Sequence, residues 1–140
     1  MDQLITFITN HWMLSTLFVV LVIALGVNEW MSYSFGIPKI SPQEAIQLIN
    51  HQEAVVIDLR NETTFTTGHI LGAMNIPTAS IEKKLNSLQK FLSKPIILVC
   101  HAEHDTPKVA AQLNKQGFKV FLIQGGLQEW RRSGLPLVKK

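Results

Sequence analysis

Cys100 is the only cysteine of the 140-residue chain and the residue best placed to do chemistry. It ends the apolar run 95–100 and is followed by a short polar loop and by the helix start Thr106-Pro107. A thiol at the carboxyl end of a buried strand, facing a helix N-terminus, lies where open α/β sheets build their sites. The free N–H groups and the dipole of that helix favour the nucleophilic thiolate. The alternative is a buried structural cysteine, because free cysteines are among the most buried residues.

The polar loop also contains side chains that are possible metal ligands. The candidates are Cys100, His101, His104 and Asp105. Sulfur, nitrogen and oxygen are all atoms that zinc accepts. Neighbouring residues of a tight loop rarely converge on one ion, however, and no second pair of ligands is evident in the sequence. We therefore expect no metal at this loop, and no motif indicates another cofactor.

Alternating strands and helices surround the loop along the sequence. Continuous apolar, β-branched runs predict strands covered on both faces at 54–59, 95–100 and 119–123. A capping box predicts a helix over 41–49, and apolar spacing or turn residues predict helices at 61–65, 79–92, 106–117 and 127–130. A brief strand is predicted at 74–77. The alternation predicts an α/β domain with a mainly parallel central sheet and helices on both faces.

An apolar stretch near the N-terminus is long enough to cross a membrane. It extends from about Trp12 to Tyr33, and Trp12 at one end with Trp30 and Tyr33 at the other match interfacial aromatic belts. A cleaved signal peptide is one alternative, since 24–26 resembles a cleavage site, but the first basic residue is Lys39. A buried helix of a soluble core is the other, although the stretch is apolar all round.

The expected organisation is therefore a transmembrane segment at 1–34 with its span at about 12–33, a linker at 35–39 and a globular domain at 40–140. All 13 lysines and arginines lie C-terminal to the span. The positive-inside rule then places the domain in the cytoplasm, on a single-pass protein of the inner membrane. A single cysteine fits a reducing compartment. The basic residues are scattered, so we expect no nucleic acid partner.

Taken in order, the motifs of residues 40–138 resemble those of the rhodanese-like domain family. They are Val56-Ile57-Asp58-Leu59-Arg60, Phe65, Gly68-His69-Ile70-Leu71-Gly72-Ala73, Asn75-Ile76-Pro77, Ile97-Leu98-Val99-Cys100, Gly125-Gly126-Leu127-Gln128-Glu129-Trp130 and Gly134-Leu135-Pro136. With its one N-terminal span, the chain resembles bacterial single-span rhodanese-like membrane proteins. The resemblance implies a persulfide carrier or sulfurtransferase: Cys100 takes a sulfane sulfur from a donor and passes it to a thiol acceptor, each a small molecule or a protein.

The segment from Cys100 to Asp105 has the length of the family's active loop, whose backbone N–H groups cradle the sulfur. The resemblance assigns this substrate-binding role to His101, Ala102, Glu103, His104, Asp105 and Thr106. Phosphatase-like relatives have a loop one residue longer that ends in arginine, so phosphatase chemistry is not expected here.

The composition of the loop departs from the family pattern. His101 replaces the usual arginine, Glu103 the glycine, and Asp105 a basic or hydroxyl residue. A carboxylate close to a thiol disfavours the thiolate and repels an anionic donor. We therefore expect weak thiosulfate activity and a donor other than a small anion, such as a protein persulfide or a neutral persulfide-bearing thiol.

Four further residues are predicted to support the loop. Asp58 and Arg60 are expected to hold the sheet edge and the loop by charged hydrogen bonds, and His69 is expected to be a buried structural histidine. Lys108 is either a solvated helix residue or a partial substitute for the missing arginine. A rival function is also open, in which the domain is a catalytically inactive module that binds a partner protein at the inner membrane.

Overall fold

Two compact units make up the chain, Met1–Gly36 and Ile37–Lys140. The computed structural model describes residues 1–34, 36–100 and 106–139. The first unit is helical, and the second contains the sheet with its flanking helices. The finer limits given above for the membrane segment, the linker and the domain stay a prediction.

The N-terminal unit consists of helices α1 (Asp2–Asn10) and α2 (Trp12–Ser34), of which α1 is not among the predicted elements. The part of α2 from Trp12 to Trp30 comprises 19 residues, none of them buried. A helix of that length extends for about 28 Å, close to the thickness of a bilayer's hydrocarbon core. By length and composition α2 is therefore able to cross a membrane, whereas the inner membrane and the cytoplasmic orientation stay predictions.

The globular unit is built on a five-stranded sheet in which every pairing is parallel. The strands are β1 (Lys39–Ile40), β2 (Val55–Asp58), β3 (Met74–Asn75), β4 (Ile96–Val99) and β5 (Val120–Ile123), in the order β1-β5-β4-β2-β3. The helices are α3 (Pro42–Gln52), α4 (Glu62–Thr67), α5 (Ile81–Leu88), α6 (Thr106–Lys115) and α7 (Gly126–Arg132), with short 3₁₀ helices at Thr78–Ser80 and Gln89–Phe91. The predicted parallel α/β architecture is confirmed.

Apolar side chains pack on both faces of this sheet. All four residues of β4 are buried, and successive ones contribute to opposite clusters. Leu88 of α5 and Leu113 of α6 belong to one cluster, and Ala45 of α3 and Trp130 of α7 to the other. Because strands alternate their side chains between two faces, a strand covered on both must be apolar at every position. The predicted burial of the run ending at Cys100 is confirmed.

A capping box begins α3 where the sequence predicts it. The backbone N–H of Glu44 donates to Oγ of Ser41 over 3.2 Å, and the N–H of Ser41 donates to Oε2 of Glu44 over 2.7 Å. This backbone hydrogen bond lowers the pKa of Glu44 from its ordinary value. The stabilising effect is therefore present at neutral pH and is lost as the pH falls through the lowered pKa.

We expect Ser41→Ala to destabilise the globular unit by about 1 kcal/mol, because it removes the acceptor for an N–H at the start of α3. Ser80→Ala is the matched control, since Ser80 precedes α5 and makes no side-chain capping hydrogen bond. Urea unfolding of the full chain in a non-ionic detergent, followed by circular dichroism, measures both. Equal losses in the two variants would contradict a specific contribution of the Ser41 cap.

Candidate functional site

Cys100 is a free, half-buried cysteine directly after β4. Its backbone carbonyl accepts a hydrogen bond from the N–H of Leu127 in the first turn of α7, over 3.4 Å. Gly126 approaches the same carbonyl so closely that a Cβ added there would lie 2.8 Å from the oxygen. The end of β4 and the start of α7 are thus held against each other at the cysteine.

Two glycines form the turn that brings α7 to this position. Gly125 has φ +74° and Gly126 φ +58°, both in the left-handed region that side chains other than glycine rarely adopt. The chain therefore passes from β5 into α7 beside Cys100 without backbone strain. The Gly-Gly pair noted in the sequence positions the cysteine from the neighbouring strand.

A small cavity adjoins Cys100 at the carboxyl ends of β4 and β5. Its volume is about 20 Å³, enough for one water molecule or another group of that size. The wall consists of Lys39, Leu98, Cys100, Thr106, Pro107, Leu122, Ile123 and Gly126. Most of these residues are apolar, and the two with polar side chains other than the thiol are Lys39 and Thr106.

Thr106, the first residue of α6, lines this cavity and carries a buried hydroxyl. The residue is 5% exposed, and within the described part of the chain its Oγ1 has no hydrogen-bond partner. Buried polar groups nearly always have a partner, because an unpaired one loses its hydration without compensation. Among the described residues, the Thr106 hydroxyl is therefore an unsatisfied buried polar group on a residue that lines the cavity beside Cys100.

The predicted loop residues lie in the segment that the structure leaves undescribed. These are His101, Ala102, Glu103, His104 and Asp105. Their role as a cradle for sulfur and the effect of their charges on Cys100 stay predictions. Lys108, on the first turn of α6, is exposed and is not among the residues that line the described cavity.

Asp58, the last residue of β2, forms a buried ion pair with Arg60 at the end of this strand, which adjoins β4. Nη2 and Nε of Arg60 donate to Oδ2 and Oδ1 of Asp58 over 2.7 and 3.0 Å, and the pair is 5% and 1% exposed. Nη2 of Arg60 also donates to the carbonyl of Gly68 over 2.7 Å. Asp58 is in register with Val99, the residue before Cys100. Support of the site by this pair stays a prediction.

His69 is buried, and it contacts both Phe65, which is close in the sequence, and Val138 near the C-terminus. Its Nδ1 lies 2.9 Å from the carbonyl oxygen of Phe65, which only accepts, so Nδ1 carries the proton. The ring stacks on that of Phe65 with 3.8 Å between centroids. Its backbone forms an antiparallel bridge with Val138. These contacts fasten the segment after α4 to the end of the chain.

Lys39 is the residue of this site that the sequence patterns do not single out. It begins β1, a strand of only two residues that is not predicted, and it comes 61 positions before Cys100. The available signal is that Lys39 is the first basic residue of the chain, with none following before Arg60. Only the pairing of β1 with β5 brings it to the cavity.

Metal binding is not indicated by the residues that the structure describes. Among them no group of three or more histidine, cysteine, aspartate or glutamate side chains is placed to hold an ion. Three of the four predicted candidate ligands fall within 101–105, outside the described residues. The expectation that the loop binds no metal therefore stays a prediction.

Comparison with known proteins gives this arrangement a context. The model of the rhodanese-like domain family matches residues 41–133. The uncharacterized protein YibN of Escherichia coli (strain K12) is 33% identical over 141 residues, which cover 99% of each chain. The thiosulfate sulfurtransferase GlpE of Pseudomonas fluorescens (strain SBW25) is 34% identical over 91 residues, or 64% of this chain and 82% of that protein.

The fold also resembles that of solved structures. A rhodanese-related protein from Thermoplasma volcanium superposes with a TM-score of 0.66 at 22% identity, over 74% of this chain and 99% of that one. At this identity the likeness concerns the fold alone. It agrees with the parallel sheet and with the helices on its two faces.

Proposed function

We propose that this chain, which belongs to the rhodanese-like domain family, is a membrane-anchored persulfide carrier or sulfurtransferase that uses Cys100 as its sulfur-accepting residue. The observation that carries the proposal is the half-buried free thiol at the end of β4, beside a cavity of about 20 Å³ with an unpaired hydroxyl among the described residues. Proteins of this family move sulfur between donors and thiol acceptors, and a relative at 34% identity is named a thiosulfate sulfurtransferase.

The proposed reaction has two steps at the sulfur of Cys100. In the first, the thiolate attacks the sulfane sulfur of the donor, a new S–S bond forms, and the donor's leaving group departs with the electron pair of the broken bond. In the second, an acceptor thiolate attacks the outer sulfur of the persulfide. The S–S bond to Cys100 then breaks, and the cysteine recovers its electron pair as a thiolate.

The class of donor is inferred from the composition of the loop. Glu103 and Asp105 follow Cys100 closely in the sequence, where the family pattern has a glycine and a basic or hydroxyl residue. Two carboxylates disfavour the approach of thiosulfate, which carries two negative charges. We therefore expect weak thiosulfate activity and a more efficient donor of lower charge.

The membrane anchor is part of the same proposal. Helix α2 is long and apolar enough to cross a bilayer. With the lysines and arginines C-terminal to it, the domain lies on the cytoplasmic side of the inner membrane. Such an anchor restricts the protein to donors and acceptors at the membrane, among which we include a membrane protein partner.

Mass spectrometry of the full chain in a non-ionic detergent tests the proposed function. After incubation with polysulfide, we expect the wild-type chain to gain the mass of one sulfur atom and Cys100→Ser to gain none, because serine forms no persulfide. Wild-type chain blocked beforehand with iodoacetamide is the control. A chain that gains no sulfur, or an adduct that persists in Cys100→Ser, would overturn the proposal.

A second candidate function is an inactive interaction module at the membrane. It is favoured by the same departures from the family pattern, at His101, Glu103 and Asp105. The readout is whether a variant restores the phenotype of cells that lack the protein. This function predicts that Cys100→Ser restores it as well as wild type does, whereas a chain without α2 does not. A Cys100→Ser chain that loses the cellular effect would exclude it.

A further inference from the structure

We propose that helix α1 (Asp2–Asn10) lies flat in the membrane surface, with its apolar face among the lipid acyl chains and its polar face toward headgroups and water. The inference rests on the membrane anchor of the proposed function and adds a second, interfacial contact to it. It uses no residue of the Cys100 site. Helix α1 is described along its whole length and belongs to the same compact unit as α2.

The residues of α1 divide into an apolar face and a polar face. At about 100° per residue, four apolar side chains fall within an arc of about 160° on one side of the helix axis. They are Leu4, Ile5, Phe7 and Ile8. The opposite side of the helix holds Asp2, Gln3, Thr6, Thr9 and Asn10. Helices with two such faces lie in the plane of a membrane surface rather than across it.

The apolar face of α1 is not buried in the protein. None of the nine residues of this helix is buried, and its four apolar side chains are 52–66% exposed. An isolated helix of this length is not stable in water, because too few hydrogen bonds form to offset the cost of its first turn. Burial of the apolar face among acyl chains supplies the stabilisation that protein contacts do not provide.

A break at His11 separates α1 from the span. The backbone of His11 has φ −124° and ψ 42°, whereas an α-helix has a ψ of about −42°. Helix α2 has 23 residues, and at this length of about 34 Å it already crosses a hydrocarbon core of about 30 Å. When α2 spans the bilayer, the residues before His11 therefore lie at the membrane surface. The break allows α1 to leave the axis of the span there.

Two grooves show that the faces of α1 continue past the break. One groove of about 350 Å³ is lined by residues of both helices, namely Ile8, Trp12, Ser15, Thr16, Val19 and Val20. The hydroxyl of Thr16 donates to the carbonyl of Trp12 over 2.9 Å, so it is satisfied within the helix. A second groove of about 340 Å³ is lined by Asp2, Gln3, Thr6, Phe7, Asn10 and His11. The apolar face of α1 is thus continuous with a surface of the span, while the polar face ends at the break.

The charges of the segment indicate a zwitterionic lipid surface. Asp2 is the one acidic side chain of α1, and the first basic side chain of the whole sequence is Lys39. Interfacial helices that select anionic lipids carry lysine and arginine on the polar face. Helix α1 therefore depends on apolar burial, for which phosphatidylcholine is sufficient. The rival occupant of the same face is a second copy of the chain.

Nitroxide scanning of α1 tests the proposal in the full chain. Cys100→Ser removes the native thiol, and single cysteines at positions 2–10 then carry the label in phosphatidylcholine vesicles. The depth of each label is measured from its collisions with oxygen, which concentrates among acyl chains, and with a water-soluble nickel chelate on both sides of the bilayer. We expect the depth to oscillate with a period of about 3.6 residues and to differ between the faces by roughly 5–10 Å, deepest at positions 4 and 8.

Three other results of the scan overturn the proposal. A depth that increases steadily from position 2 to position 10 means that α1 continues the axis of the span. Labels that are open to nickel at every position mean that α1 lies in water. Labels at positions 4 and 8 that are shielded from both oxygen and nickel mean that a second copy or another protein covers the apolar face.

A matched pair of acidic substitutions tests the apolar face itself. With the label at Ile8→Cys, we expect Leu4→Asp to lower the ratio of oxygen to nickel collision rates by at least about threefold, because positions 4 and 8 are neighbours on the apolar face. Thr6→Asp adds the same charge on the polar face and should leave this ratio within about twofold of the parent chain. Equal effects of the two substitutions would contradict the assigned faces.

A label in the span distinguishes failure of this inference from failure of the proposed anchor. Leu21 lies in the middle of the segment from Trp12 to Trp30, and Leu21→Cys places the label there. If that label is shielded from nickel while α1 shows no oscillation, the anchor stands and the interfacial helix is excluded. If the label at position 21 is open to nickel, the anchor fails as well. Neither result concerns sulfur loading, since the labelled chains lack Cys100.

Discussion

Replacement of Asp58 by asparagine is expected to destabilise the globular unit by about 3–5 kcal/mol, because it leaves a buried guanidinium without its counter-charge. Arg60 is 5% exposed and donates to both carboxylate oxygens of Asp58. An asparagine keeps the size of the side chain but loses the charge and one acceptor. The loss is the penalty of an unpaired buried charge, which exceeds the net stabilisation that the intact pair provides.

A double-mutant cycle distinguishes these two quantities. Asp58→Leu combined with Arg60→Met removes both charges, and we expect the pair to be less destabilising than the sum of its single changes. Urea unfolding of the full chain in a non-ionic detergent gives the free energies. Lys94→Gln is the control, since it removes a 2.9 Å ion pair with Glu53 in which both side chains are exposed, and it should have no resolvable effect. Additive losses at positions 58 and 60 would contradict the coupling.

The sheet is predictable from the sequence wherever its strands are buried on both faces. Strands β2, β4 and β5 lie within the three predicted apolar runs, because both faces of each strand must be covered. Strand β1 has two residues and no such run. Its partner is β5, which is distant in the sequence. The N–H of Leu122 donates to the carbonyl of Pro38, and the N–H of Gln124 donates to that of Ile40. No local pattern encodes these bonds.

The region 79–92 shows a second limit of periodicity. Apolar spacing predicts one helix there, whereas the structure has α5 only over Ile81–Leu88, with 3₁₀ turns at Thr78–Ser80 and Gln89–Phe91. Beyond α5, the N–H of Leu92 donates to Gln89 and that of Lys94 to Phe91, both with i to i+3 spacing. Spacings of three and four residues serve both kinds of helix, so the pattern does not locate the change.

Some residues of the candidate site can be recognised from the local sequence, whereas one is brought to the site by the pairing of distant strands. Cys100 is recognisable from the strand that it ends, and Thr106 from the helix that it begins. Lys39 reaches the cavity because the first strand of the domain pairs with the last, in the order β1-β5-β4. Sequence order alone does not give this neighbourhood. Lys39 is therefore recognised as a neighbour of Cys100 only once the sheet is known.

Gly126→Ala is expected to disturb Cys100 directly. The added Cβ would lie 2.8 Å from the carbonyl oxygen of Cys100, and Gly126 has φ +58°. Left-handed backbone at a residue other than glycine costs about 1–3 kcal/mol, and the contact with the carbonyl adds to this cost. Because the carbonyl belongs to Cys100, the proposed sulfur-accepting residue, we expect relief of the contact to shift the backbone that carries the thiol. We expect sulfur loading to slow by roughly ten- to a hundredfold.

Gly72→Ala isolates the contribution of that contact. Gly72 has φ +79°, but a Cβ added there meets no atom within 4 Å. The control therefore bears the backbone strain without touching the site, and it should lose stability while keeping the rate of sulfur loading. Urea unfolding gives the free energies, and the growth of the persulfide mass with time gives the rates. If both glycine variants load sulfur equally fast, the start of α7 does not position Cys100.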